Sequence, residues 1–123
     1  MSTVPKANLQ LIYVSDISRS TDFYKKLFEA EPAFSTPRYV AFGAGKDALF
    51  ALWTGGEQPD PEIPRYSEIG IMLPTSSDVD MLHAKWQEIA EINIVRPPYD
   101  EVFGRTFLVK DPDGHLIRVS PLD

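Results

Sequence analysis

Cysteine is missing from all 123 residues, which removes disulfide staples, thiolate metal sites and cysteine nucleophiles together. Positive charge is in the minority: 12 Lys and Arg stand against 18 Asp and Glu, for a formal net charge of −6. A nucleic-acid surface needs the opposite balance, so the acidity is assigned to solubility. No apolar run is long enough for a membrane span, and the opening residues lack the basic segment and apolar stretch of a secretory signal. A cytoplasmic location is the expectation. Histidine is scarce, and neither His83 nor His115 has a visible metal or nucleophile partner in the sequence; both are read as surface or packing residues. No serine sits in the strand–turn–helix elbow of a hydrolase, which disfavours a Ser–His–Asp triad.

What the chain does contain is a repeat. A strand-like run at 9–14 leads through Asp16 into an amphipathic segment ending near Phe28, and a second run at 68–73 leads through Ser76 into another ending near Ile89. Extended segments follow each: 38–42 with 48–53 in the first half, 105–109 with 116–120 in the second, overlaying at one constant offset. The pattern predicts an α+β chain in which one βαβββ module is used twice. It is read as one domain, 1–123, with module one at about 7–54, a linker at about 55–65 and module two at about 66–121.

Local signals agree with that division. Phe23, Tyr24, Leu27 and Phe28 repeat at helical spacing behind the caps Asp16 or Ser18; Val79, Leu82, Trp86 and Ile89 do so behind Ser76 or Ser77. Both stripes are core-facing rather than cofactor faces. Between the modules, Thr54-Gly55-Gly56-Glu57-Gln58-Pro59-Asp60-Pro61-Glu62-Ile63-Pro64 is rich in turn formers. Its glycine pair has neither the lysine nor the following helix of a phosphate loop, and reads as a flexible joint. Asp111-Pro112-Asp113-Gly114 between two apolar runs is a hairpin signal.

The opening Tyr13-Val14-Ser15-Asp16-Ile17-Ser18-Arg19-Ser20-Thr21-Asp22-Phe23-Tyr24 and the closing Asp111-Pro112-Asp113-Gly114-His115, at this separation, resemble the vicinal-oxygen-chelate superfamily of glyoxalases, extradiol dioxygenases and bleomycin-binding proteins. The resemblance implies curved mixed sheets around a ligand cavity, and a homodimer. Within the superfamily, the segments 37–42, 47–53, 68–74 and 102–107 are similar to those of proteins that confer resistance to phenazine antibiotics of the griseoluteate type.

In metal-using members, side chains from the first and last strands of both modules converge on a divalent ion. The corresponding positions here are Leu9, Ala51, Glu68 and Arg118, of which only Glu68 can donate to a cation. No metal and no other cofactor is therefore expected. The cavity becomes an organic binding site: strand alternation places Ala51 and Trp53 on its face, with the indole free to stack on a flat guest and small residues leaving room. Glu68 and Arg118 either pair with each other or read polar groups on the ligand. Arg38 and Arg105, equivalent in the two halves, are candidates to close over an anion. Tyr39, Phe42, Tyr66, Tyr99 and Phe103 form an aromatic inventory near the rim, with hairpin register deciding which of them enter the cavity. The expected ligand residues are Tyr39, Ala51, Trp53, Glu68, Met72, Phe103, Thr106 and Arg118, with no catalytic residue among them.

The preferred reading is metal-independent sequestration of a planar aromatic antibiotic, a phenazine above all. The alternatives are a small lyase, isomerase or transferase acting on an aromatic or carbonyl metabolite with Glu68 as general base, and a structural or regulatory dimer.

Overall fold

A strand and the strand that closes its sheet run parallel in each half of the chain, and a parallel pair cannot be joined by a tight turn. A helix makes the crossing both times. The computed structural model describes residues 5–122; residues 1–4, the start of the segment read for a secretory signal, lie outside the described residues. The elements run β1 (Leu9–Tyr13), α1 (Ile17–Phe28), β2 (Phe34–Ser35), β3 (Tyr39–Gly43), β4 (Leu49–Trp53), β5 (Ile69–Leu73), α2 (Ser76–Gln87), β6 (Asn93–Glu101), β7 (Gly104–Lys110) and β8 (Leu116–Pro121). They form two compact units, Met1–Pro59 and Asp60–Asp123. Neither helix among the described residues is long and apolar enough to cross a membrane.

In the first unit the strand order is β1-β4-β3-β2, with β1 parallel to β4 and the rest antiparallel. Asp16 caps α1 by accepting from the Arg19 amide at 3.1 Å. The helix lays Phe23, Tyr24 and Leu27 on one face of the sheet. Tyr24 and Phe28 meet Phe50 with ring centroids 4.9 and 5.5 Å apart, and Phe28 meets Phe42 at 5.5 Å. Register places Val40 beside Leu52 and Phe42 beside Phe50 on this covered face. Phe42 is thus a core residue under α1, not part of an aromatic rim.

The second unit repeats the plan as β5-β8-β7-β6, with β5 parallel to β8. Thr75, rather than Ser76 or Ser77, caps α2. Its hydroxyl accepts from the Asp78 amide, while the Asp78 carboxylate accepts from the Thr75 amide at 3.1 Å. Beneath α2, Trp86 packs edge-on to Phe107 at 5.7 Å, with Val79, Val109, Ile117 and Val119 fully buried around it. His83 stands edge-on to the same Phe107 at 5.3 Å, a packing role.

Each module also contains a strand that periodicity did not reveal. One is the two-residue β2. The other is β6, nine residues long despite Pro97 and Pro98. It is an edge strand whose register shifts between Ile94 and Arg96 and again between Arg96 and Tyr99, which is where a strand tolerates proline.

The β7–β8 loop is built around one carboxylate. Asp111 is 5% exposed, and its Oδ1 accepts from the amides of Asp113 at 2.9 Å and His115 at 2.8 Å. Gly114, with φ of +88°, completes the turn in the left-handed region. Arg65 then ties the linker to this loop, donating to the carbonyls of Asp60, Ile63 and Asp113 at 3.1, 2.9 and 2.8 Å. Replacing Asp111 by Ala strands two amides near the interior. We expect it to cost about 3 kcal/mol in urea unfolding, whereas Asp111→Asn, which keeps an acceptor oxygen, loses less than half as much.

Candidate functional site

Because α1 and α2 each cover one sheet face, alternation turns every second side chain toward the other face. In the first unit this open face carries two successive cross-strand rows. Tyr13, Trp53 and Tyr39 lie side by side across β1, β4 and β3, and Leu11, Ala51 and Ala41 form the next row, with Phe34 opposite Ala41 on β2. Both alanines are fully buried and form a floor without side-chain bulk. Around them Tyr13 is 40% exposed and Phe34 56% exposed, with Trp53 and Tyr39 half-buried. The rings of Phe34 and Tyr39 stand edge to face at 6.0 Å. Tyr39, Ala51 and Trp53, expected as ligand residues, thus share one face. Tyr13 joins them as a residue that sequence reasoning did not select, although its position two after Leu11 on the same strand carries the signal.

The glycine pair after β4 is not a mere joint. A Cβ on Gly55 would run into the six-membered ring of Trp53, and one on Gly56 would lie 2.8 Å from Tyr13 Cε2 and 3.0 Å from Trp53 Nε1. The bare backbone therefore lets the chain fold over the two rings and hold the indole in one orientation.

In the second unit the open face is polar at its centre. Arg118 on β8 donates to Glu68 from Nε at 2.7 Å and from Nη2 at 2.9 Å, a bidentate pair. Its Nη1 donates to the Tyr99 hydroxyl at 3.3 Å, and the guanidinium carbon lies 5.7 Å from the Phe103 ring centroid. Gly70 is the register neighbour of Arg118, and open space stands where its side chain would be. Met72 lies two residues along the same strand and is 63% exposed. Thr106, paired with Tyr99 across β6 and β7, is fully buried on this face. Glu68, Met72, Phe103, Thr106 and Arg118 all belong to this patch. Tyr66 is fully exposed outside it. Arg105 is on the α2 side, bound to Asp80 at 3.0 Å and Asp100 at 3.3 Å, so it cannot serve the open face; Arg38 is exposed beside β3.

A divalent ion does not suit these side chains. Leu9 and Ala51 offer no donor, Arg118 is a cation, and both Glu68 oxygens already accept from it. Among the described residues no three His, Cys, Asp or Glu side chains converge on a common point. The hydrogen bond from Arg118 holds the Glu68 carboxyl below its ordinary value of 4.5, against the opposing pull of burial, and the same bond raises Arg118. A carboxyl depressed in the folded state stabilises it above the unfolded value, and that contribution disappears as pH falls through the folded one. A carbon-detected NMR titration should therefore place the Glu68 midpoint below 4.5, and Arg118→Met should move it upward.

The comparisons with known proteins fit this architecture. A phenazine antibiotic resistance protein of Enterobacter agglomerans, EhpR, is 63% identical over 118 residues, covering 94% of this chain and 92% of its own. A glyoxalase/bleomycin resistance protein/dioxygenase from Nocardioides superposes with a TM-score of 0.82 at 17% identity, covering 98% of this chain and 85% of its own. A glyoxalase-related enzyme from Fulvimarina pelagi gives 0.79 at 19% identity, covering 96% and 88%. These two likenesses concern the fold alone. With residues 6–119 matching its pattern and the βαβββ plan present twice, the chain belongs to the Glyoxalase/Bleomycin resistance protein/Dioxygenase superfamily.

Proposed function

We propose that this protein binds a planar aromatic antibiotic of the phenazine class and protects the cell by sequestering it, without a metal and without chemical conversion. The observation that carries this reading is the aromatic row Tyr13, Trp53, Tyr39 beside the Ala41 and Ala51 floor. A flat ring system stacks on such a wall and needs small neighbours to reach it. The relative with 63% identity is named for resistance to a phenazine antibiotic, which supports the same class of guest here. On the second unit, Glu68 and Arg118 with Met72, Phe103 and Thr106 around them form a patch able to bind the polar groups of such a guest.

The enzyme alternative asks Glu68 to act as a general base. A base working near neutral pH needs its affinity for protons raised, and Arg118 acts in the other direction. Action in the cytoplasm as a single folded homodimer completes the proposal, and light scattering coupled to size exclusion tests the assembly.

The binding mechanism is open to direct measurement. Phenazine guests should quench Trp53 fluorescence while leaving Trp86, buried under α2, almost unaffected; Trp53→Ala should weaken binding by roughly 1–3 kcal/mol, the range for aromatic stacking of a base. Arg118→Met should weaken carboxylated guests more than neutral ones, since it removes the charge but keeps an apolar stem. Affinity should be unchanged by a chelator, and elemental analysis should find no stoichiometric divalent ion. Recovery of a converted phenazine after many turnovers would replace sequestration by catalysis.

A further inference from the structure

Tyr99 is held unusually well for a residue whose own proton has only one, long acceptor. The Arg96 guanidinium carbon sits 3.5 Å from its ring centroid, fixing the ring from one face. The phenolic oxygen accepts from Arg118 Nη1 at 3.3 Å. The hydroxyl's own proton has only Glu101 Oε2, at 3.5 Å, well beyond the usual range for a hydroxyl donor. Directly across the β6–β7 ladder, the Thr106 hydroxyl is fully buried and has no hydrogen-bond partner among the described residues. A buried hydroxyl without a partner costs free energy, so on this face the Thr106 hydroxyl is unpaired and the Tyr99 proton is only weakly held by its one long bond. Beside them the Gly70 position is open, and the side-on fork of Arg118 is already closed by Glu68.

We infer that Tyr99 is a specificity-determining residue that donates its hydroxyl proton to an acceptor oxygen on a substituent of the aromatic guest. Glu68 fixes Arg118, Arg118 fixes the Tyr99 oxygen, and Arg96 fixes the ring, so that the donor is oriented before the guest arrives. What it reads is a carboxylate or carbonyl oxygen of a guest lying on the second unit's open face. This rests on the sequestration reading, and the test separates the two.

The test measures calorimetric affinity of the wild-type protein, Tyr99→Phe and Arg96→Met for two probes, phenazine-1-carboxylate and unsubstituted phenazine. Tyr99→Phe should weaken the carboxylate about tenfold, the scale of one hydrogen bond to a charged group, and change unsubstituted phenazine by less than about twofold. Arg96→Met, which frees the ring but keeps the hydroxyl, should weaken the carboxylate by an intermediate factor. Equal affinity of Tyr99→Phe and wild type for both probes overturns the assignment, as does an equal loss for both, which would mark Tyr99 as a packing residue. Failure of the wild-type protein to bind either probe removes the sequestration reading and this one with it.

Discussion

The parallel pairing of the first and last strands within each unit is the constraint from which the rest follows. It demands a crossover, the crossover is a helix, and the helix takes one face of the sheet for its apolar stripe. Everything on the second face is then fixed by strand alternation. The same rule that sends Phe50 and Leu52 beneath α1 sends Ala51 and Trp53 the other way, and sending Phe107 beneath α2 leaves Thr106 and Leu108 with Arg118. The composition of the open face is therefore set at alternate positions, apart from those that pack beneath the helix.

The two units use this freedom differently. In the first, the open face holds rings and alanines, and its character is one of shape. In the second, a half-exposed ion pair lies at the centre, and its net contribution to stability is small because solvent competes for both partners. Its value is directional: a guanidinium gripped on its side by Glu68 has few ways to turn. The lowered proton affinity of Glu68 follows from that grip, and the pair stays charged throughout the neutral range.

Much of this was legible in the sequence. Helical spacing and Asp16 located α1 to within a residue, and Asp111-Pro112-Asp113-Gly114 marked the β7–β8 turn because its residues carry their own conformational preferences. Alternation alone assigned Ala51 and Trp53 to one face. The losses have physical causes. Pro97 and Pro98 masked β6, since proline argues against a strand unless the strand is known to lie at an edge with broken register. Thr75 was passed over as a cap because neighbouring serines offered the same hydroxyl. Which rim aromatics and which arginine reach the open face stayed undecided in the sequence, because a residue's face depends on which neighbour it pairs with, and that is a property of the ladder; Phe42 and Arg105 lie on the helix side. The part played by Gly55 and Gly56 was invisible, because absence of a side chain matters only once a ring is known to lie against it.

Strand β6 has a consequence for abundance. Capture as proposed above is stoichiometric, so protection would rise with the number of copies a cell can carry, and crowding brings sheet edges of separate molecules into frequent collision. An edge strand is a template for adding a further strand. Two adjacent prolines leave this strand two backbone donors short, and the paired register shifts bend what remains. The residues that obscured the strand are those that let a binder of this kind accumulate without joining its neighbours through that edge.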